Sequence, residues 1–411
     1  MNVTALLGAG AFLDVDGKST PFLTQNVVDK ITEIKANSFC KNSEPFLKKV
    51  ADELNGYWKP DKCNFEDIYH TLEMLFSYRH YVGEGKPFRP PLGAFIDRHK
   101  YFFNYDYLKQ SMIDVIKVLG DHVEEYDKTF QPDGVHMWFA DFWRKAALKK
   151  EWNIATLNYD TCIEKSIEEF EDGFNEAETE IGGYYLSTEG KIQTFNCYKY
   201  SPMKIRGSNK SKIMHLHGSI QYGYPIEKIG QFLERDNNDL YKFGSHCEAK
   251  NSWDRIPYMQ KQAQETTVAG PIITGLGKTD KLLCYPYIDY NKLFYESLLN
   301  NDRLLIAGYS FGDVYINKAL DRFAYLRRPK KIVIITKRNE SEFHWNDRPI
   351  KRLDDMEMFI NRATMNDEPF GAKSLASSRV ESIDKSIQLY SGGMKDAIEN
   401  HGDEILDFLT T

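Results

Sequence analysis

Nine residues near the start of the chain decide the fold, and they read NVTALLGAG from Asn2 to Gly10. An apolar run that ends abruptly in glycines is typical of a buried strand followed by a tight turn. Three later apolar runs give way to small or polar residues, at TLNYD (156–160), HLHGS (215–219) and GYSF (308–311). Loops after parallel strands are where such folds bind ligands, so the four segments together predict one nucleotide site.

Strand-like and helical patterns alternate along the chain, which predicts an α/β fold with a doubly wound parallel sheet. Helical spacing dominates from about 30 to 151, and this stretch is expected to form a helical insertion lobe. The pattern also predicts a helix from about Asp160 to Phe170 and a strand-like segment over Gly270–Thr274. We expect one nucleotide-binding domain over 1–340 and a C-terminal extension over 341–411.

Composition excludes several classes of function. The 411 residues carry 53 lysines and arginines against 60 acidic residues, and the net charge of -7 provides no overall attraction to nucleic acid. The six cysteines are scattered without a CxxC pair, which fits free thiols in a reducing compartment. No run approaches the length of a membrane span, and the N-terminal residues fit a signal peptide poorly. The protein is therefore expected to be cytoplasmic, with neither nucleic acid nor membrane as a direct partner.

Each of the four segments has a functional and a structural interpretation. Gly8 and Gly10 would let a phosphate approach the backbone, but a tight turn without a ligand explains them equally well. The amide of Asn158 could hold a water or a ribose hydroxyl, or it could cap a turn. His217 can exchange a proton near neutral pH, with Gly218 leaving room for substrate beside it, or it could be a satisfied core histidine. Their occurrence together favours the functional interpretation.

Two further features leave alternatives open. His215 and His217 would share one face of a strand, which raises a metal site as an alternative. Further ligands such as His246 and Cys247 lack recognisable spacing, so no metal is predicted and His215 is expected to be a packing or hydrogen-bonding neighbour. Ser310 could bond a phosphate or ribose, or it could lie in a simple turn from strand to helix.

The motifs occur in an order that is similar to that of a known family of domains. LLGAG, TLNYD, HLHGS, GYSF and the strand KKIVIIT at 330–336 occur in an order that resembles a sirtuin-like domain of the divergent bacterial kind found in anti-phage defence. The resemblance spans about 1–340. It implies a Rossmann-like sheet with a helical insertion, NAD as the substrate, and hydrolysis of NAD to nicotinamide and ADP-ribose.

The resemblance also implies roles for residues. Asn158 would align a water and the nicotinamide ribose, and His217 would act as general acid and base. Asp160 would support Asn158 or bond the ribose, the glycine turn would meet the diphosphate, and Ser310 would lie near the adenosine half. The implied substrate-binding set is Gly8, Ala9, Gly10, Asp160, Gly308 and Ser310.

The chain departs from the protein deacylases of that family. Leu157 stands where they carry a glutamine before the asparagine, and their two zinc-binding cysteine pairs are missing here. Phe12 stands where relatives usually show a serine. The phenylalanine implies that the phosphate contacts near the turn differ from those of the family, whereas Leu157 and the missing cysteine pairs argue against deacylation.

We therefore hypothesise an NAD hydrolase, that is, an NAD nucleosidase, that acts in anti-phage defence. A stand-alone chain of this length resembles the sirtuin-like subunit that partners a HerA-type hexameric ATPase, and this resemblance implies a ring-like homo-oligomer as well. The alternative is a sensor or scaffold that binds NAD or ADP-ribose without turnover. A protein deacylase ranks last.

Overall fold

The structure is a computed structural model in which most of the chain is described. The described residues are 2–12, 25–34, 46–57, 63–80, 105–174, 180–186, 192–204, 210–224, 239–253, 258–261, 265–268, 270–274, 278–326, 328–338, 354–366, 368–370 and 379–411.

Strands run through the whole described length of the chain. They are β1 Val3–Leu7, β2 Trp152–Thr156, β3 Phe170–Glu171, β4 Glu180–Leu186, β5 Ile192–Lys199, β6 Ser211–His215, β7 Tyr222–Gly223, β8 Tyr241–Phe243, β9 Tyr258–Lys261, β10 Glu265–Val268, β11 Arg303–Ala307, β12 Lys331–Ile335, β13 Arg379–Glu381 and β14 Ile387–Tyr390.

Helices fill the intervals between them. They are α1 Gln25–Thr32, α2 Phe46–Tyr57, α3 Phe65–His80, α4 Tyr105–Asp127, α5 Met137–Lys149, α6 Cys162–Ser166, α7 His246–Ser252, α8 Lys278–Lys281, α9 Tyr287–Asn300, α10 Val314–Tyr325, α11 Asp355–Thr364 and α12 Met394–Thr410, with a short 3₁₀ helix at Ala9–Phe12.

The central sheet of the described chain has eight strands in the order β13-β14-β12-β11-β1-β2-β6-β3. Neighbouring strands are parallel except for the pair β13 and β14 at one edge. In β1, Thr4 pairs with Leu304 of β11 on one side and with Asn153 of β2 on the other. The predicted α/β class with a Rossmann-like, doubly wound parallel sheet is confirmed.

Burial explains why these runs form strands. All residues of β1, β2 and β6 are buried, as expected for parallel strands covered on both faces. Helix α9 packs against β1, β2 and β6, whereas α12 packs against β11 and β12. The sheet is therefore covered by helices along its whole centre, and its carboxyl edge remains open for a site.

The predicted helical insertion forms between β1 and β2, where the described residues make α1 to α5. In α3, Phe65, Ile68, Leu72 and Phe76 recur at intervals of three and four residues and are buried. These residues form the buried face of α3, and α3 packs against α4. The helical spacing in the sequence therefore indicates the buried side of the helix.

Two local predictions were wrong. The helix expected from Asp160 to Phe170 is only the short α6, because Ile167 is already extended and leads into β3, which pairs with β6. The segment Gly270–Thr274 forms no strand, and Ile272 makes only an isolated bridge with Gly218.

The described part of the C-terminal extension is built into the central sheet. Strand β14 pairs in parallel with β12, and α12 packs on the same sheet. A second sheet in the order β4-β5-β8-β7 and the hairpin of β9 and β10 lie outside the central one. None of the helices in the described part of the chain combines the length and apolarity that a bilayer span requires.

Candidate active site

A cavity of about 550 Å³ opens at the carboxyl edge of the central sheet. It collects residues from the ends of β1, β2, β11 and β12 and from the loop after β6. The predicted site residues that line it are Gly8, Ala9, Gly10, Asn158, His217, Gly308 and Ser310. The structure therefore brings the four segments together, and Asp160 is the predicted site residue that it does not bring to the lining.

Asn158 follows β2 and is held in place by both its amide and its backbone. Its Nδ2 donates to the carbonyl of Gly8 at 3.2 Å, and its backbone N–H donates to Oγ1 of Thr156 at 3.1 Å. The residue is only 1% exposed, yet it lines the cavity. The β2 loop is thus fixed directly against the glycine turn of β1.

His215 lies behind this loop and supports it. Its Nδ1 lies 3.1 Å from the backbone carbonyl of Asn158, and its Nε2 lies 2.7 Å from Oε1 of Glu164. Burial alone would lower the pKa of His215, but the carboxylate of Glu164 outweighs it and raises that pKa. An imidazolium can donate to both oxygens at once, so the expected role of His215 as a hydrogen-bonding neighbour is confirmed.

His217 lies at the cavity wall beside a series of three charged side chains, Asp313, Lys278 and Glu66. Its Nε2 is 3.2 Å from Oδ2 of Asp313, and Nζ of Lys278 is 3.5 Å from the same oxygen. Nζ of Lys278 also lies 3.4 Å from Oε1 of Glu66. All four side chains line the cavity, and Asp313 links the imidazole of His217 to the other two.

Asp313 connects this series of charged side chains to helix α10. Its Oδ1 accepts the backbone N–H groups of Tyr315 and Ile316 and so caps the N-terminus of α10. Burial would raise the pKa of Asp313, but the hydrogen bond with His217 and the charge of Lys278 lower it well below its usual range. Asp313 is therefore a carboxylate throughout the neutral pH range.

Glycines at the site allow neighbouring backbone segments to approach each other closely. A Cβ on Gly218 would lie 2.0 Å from the carbonyl of Pro271, and its φ of +99° is unfavourable for other residues. The prediction that Gly218 leaves room for substrate is wrong, since the Pro271 backbone occupies that space. Gly8 donates its N–H to Ala307 and Gly10 donates its N–H to Gly308, so these two amides are not available to a phosphate.

Ser310 follows the glycine at 308 and is exposed on the rim of the cavity. The neighbouring Tyr309 donates its hydroxyl to Asn317 at 2.7 Å, which fixes the loop to α10. The Ser310 hydroxyl is thus presented to a ligand by an ordered turn.

Asp160 is buried beside α4 instead of lining the cavity. Its Oδ2 accepts the hydroxyl of Tyr126 at 2.9 Å, and its Oδ1 accepts the backbone N–H of Cys162 at 3.0 Å. Burial, together with the nearby charge of Asp127, raises the pKa of Asp160 to about 6. Its contacts anchor the loop that carries Asn158.

This raised pKa predicts a pH-dependent effect of Asp160→Asn on stability. Asparagine can still accept the backbone N–H of Cys162 through Oδ1 and can donate its Nδ2 to the hydroxyl of Tyr126, without a buried charge. Between about pH 4 and 6 the folded wild-type protein binds more protons at this position than the unfolded chain, so its stability falls as the pH rises. The variant is expected to exceed wild type by at most about 3 kcal/mol in unfolding free energy at pH 8 and to match it near pH 4. Urea unfolding at both pH values measures this difference, and an equal difference at both would contradict it.

The histidines weighed as metal ligands face different partners. His215 contacts Glu164 and Asn158, whereas His217 contacts Asp313. His246, also considered, lies 3.1 Å from Oδ1 of Asp121 and hydrogen bonds with the carbonyl of Ile220. The two rings after β6 therefore do not converge on one ion.

Sequence reasoning missed several lining residues. Glu66, Lys278 and Asp313 form the charge chain to His217, and Lys337 and Arg338 line the cavity after β12. Asp313 lies at the start of α10, where a helix cap and a partner of histidine give the same sequence signal. Glu66 and Lys278 are separated by more than 200 residues, so only the fold reveals their pairing.

Comparison with known protein families gives a match over part of the chain. Residues 153–351 match the SIR2-like domain, a stretch that contains Asn158, His217 and Asp313 but not the glycine turn of β1. No curated protein matches the chain. The match supports a sirtuin-like family with NAD-related activity, and SIR2-like domains are often NAD-utilising enzymes.

Proposed function

We propose that this protein hydrolyses NAD to nicotinamide and ADP-ribose. The observation that carries the proposal is that Asn158 and His217 line one cavity, beside the glycine turn and at the ends of adjacent parallel strands. The SIR2-like match includes both residues.

The dimensions of the cavity suit a dinucleotide. Its lining extends along the strand ends from β6 through β2, β1 and β11 to β12. Four strand spacings correspond to about 19 Å, which exceeds the length of a mononucleotide. The nicotinamide ribose then lies near Asn158 and His217, and the adenosine half lies toward β11 and β12.

The chemistry requires little covalent assistance. The bond between C1′ of the ribose and the nicotinamide nitrogen breaks, the electron pair leaves with neutral nicotinamide, and a water oxygen bonds to C1′. Asn158 orients that water and the ribose, and His217 accepts the water proton. Asp313 stabilises the imidazolium that forms, as a fixed charge near a developing one lowers the barrier.

Product analysis tests the proposal directly. Purified protein is incubated with NAD, and the products are identified by mass spectrometry. Equal amounts of nicotinamide and ADP-ribose are expected without any acyl-lysine peptide. Tight NAD binding without product would favour the sensor or scaffold, and turnover only with an acylated peptide would favour a deacylase.

Asp313→Asn is expected to lower NAD turnover while leaving the fold intact. Asparagine still caps α10 through Oδ1, but it places an amide N–H group where Nε2 of His217 now meets a carboxylate. Loss of a charge-assisted hydrogen bond predicts a fall in kcat of about tenfold to a hundredfold.

The matched control is Asp172→Asn. Asp172 is also buried and pairs with a cation, Lys242, at 2.6 Å, but it lies outside the cavity. Unchanged turnover in the Asp313 variant, or equal losses in both variants, would exclude the assigned role of Asp313.

The biological setting is part of the proposal. We place the protein in anti-phage defence, where NAD depletion would follow association with a HerA-type hexameric ATPase, the chain itself forming a ring. The support is the motif resemblance. Native mass spectrometry of the two co-expressed proteins tests it, and a monomer without a complex would contradict it.

A further inference from the structure

The end of the cavity at β12, four strands away from β6 in the sheet, carries a basic pair. Thr336, Lys337 and Arg338 follow β12 and line the cavity there. Arg338 is held by an ion pair with Asp354, the N-cap residue of α11, and Asp354 does not line the cavity. This ion pair holds the guanidinium in position. A guanidinium has five N–H donors in total.

The carboxylates that line the cavity do not belong to its β12 end. Among the described lining residues they are Glu66 and Asp313, and both belong to the charge chain of His217 and Lys278. The β12 end thus presents cationic side chains and the hydroxyls of Thr336 and Ser310, with no carboxylate among the described residues that line it. Such a surface attracts an anion and lacks a strong acceptor for a ribose hydroxyl.

Dinucleotide-binding folds distinguish NAD from NADP by the charge of the residue near the adenosine ribose. An acidic residue near the adenosine ribose accepts its 2′-hydroxyl in NAD-binding proteins, whereas a nearby arginine accommodates a 2′-phosphate. Arginine suits phosphate because its planar fork can donate two parallel hydrogen bonds.

We infer that Arg338, assisted by Lys337, forms a subsite for a 2′-phosphate, so that the substrate class includes NADP and NADP is the preferred dinucleotide. The inference rests on the proposed function, because it uses the orientation that puts nicotinamide at His217 and adenosine at β12. It assigns to Arg338 the selection of the substrate and no part in bond cleavage.

Kinetics with both dinucleotides test the inference. In wild type, kcat/KM for NADP is expected to exceed that for NAD. In Arg338→Ala, kcat/KM for NADP is expected to fall about tenfold to a hundredfold, the range for a lost charge-assisted contact, while the value for NAD changes less than about threefold. Arg338→Lys keeps the charge but not the fork and is expected to lie between these two proteins.

The matched control is Asp354→Asn. It removes the charge that pairs with Arg338 but keeps a side chain able to cap α11, so preference for NADP should persist. A second measurement, independent of turnover, is calorimetry of the Asn158→Ala protein with ADP-ribose and with 2′-phospho-ADP-ribose. Tighter binding of the phosphorylated compound, lost when Arg338→Ala is added, is expected.

The outcomes separate the two proposals. NAD turnover with no NADP turnover, or an equal effect of Arg338→Ala on both dinucleotides, would overturn the phosphate subsite and leave NAD hydrolysis standing. If neither dinucleotide is cleaved, calorimetry still decides: equal binding of the two ADP-ribose compounds overturns the subsite, and preferential binding supports it although the hydrolase proposal has failed.

Discussion

Alanine at Asn158 or at His217 is expected to reduce NAD turnover by about 10²- to 10⁴-fold, the range measured for a lost acid, base or positioning group. In the proposed mechanism His217 receives the water proton and Asn158 holds the water. Removing both together should cost little more than removing one, since residues that act as a unit are not additive. Initial rates of nicotinamide release measure all three variants.

Two controls remove similar side chains outside the cavity. Asn301→Ala deletes a buried amide that donates to Thr4 of β1 at 3.0 Å, and His246→Ala deletes a buried imidazole that pairs with Asp121. Both should retain turnover near wild type at a temperature where they are folded, as checked by circular dichroism. Retained turnover in both the Asn158 and the His217 variant would refute the assignment of catalysis to these two residues.

The strands at the centre of the sheet could be predicted because they are buried on both faces. Such strands are continuous apolar runs, as in β1, β11 and β12, and each run ends where the sheet ends. The motif residues mark those ends, so Asn158 and His217 could be identified from the amino-acid sequence alone.

The elements that could not be predicted depend on pairing with distant partners. Strand β3 has only two residues and exists because β6 lies beside it, which shortens α6 to five residues. Strand β14 joins the sheet through β12, more than 50 residues earlier in the chain. Short segments lack the periodicity on which local inference depends.

The candidate site also has a part that could be predicted from the sequence and a part that could not. Its backbone turns and its two principal side chains follow from local motifs. The partners that tune them do not, because Asp313, Lys278 and Glu66 meet only after α3, α8 and α10 have packed at the sheet edge. For Asp160 the motif left two roles open, support of Asn158 or a bond to the ribose, and the contact with Tyr126 of the helical insertion, which no local pattern indicates, agrees with the supporting role.

Gly308→Ala is expected to cause the largest loss of stability among the substitutions considered. Gly308 has a φ of +62°, and a Cβ there would lie 1.9 Å from the backbone nitrogen of Ala11 and 2.1 Å from the carbonyl carbon of Gly10. These neighbours are backbone atoms, so no flexible side chain can move aside. Strain of about 1–2 kcal/mol for the left-handed conformation adds to about 1–3 kcal/mol for overpacking.

The result is a predicted fall of about 2–5 kcal/mol in unfolding free energy, measured by urea denaturation at pH 7.5. Gly402→Ala is the matched control, because Gly402 lies inside α12 and its Cβ would meet Ile398 and Phe142 at an ordinary 3.6 Å. That variant should gain up to about 1 kcal/mol from helix propensity. The Gly308 substitution also forces apart the β1 and β11 turns that form the cavity floor, so binding of ADP-ribose should weaken with stability. Wild-type stability in Gly308→Ala would show that these two turns do not meet as closely as the structure places them.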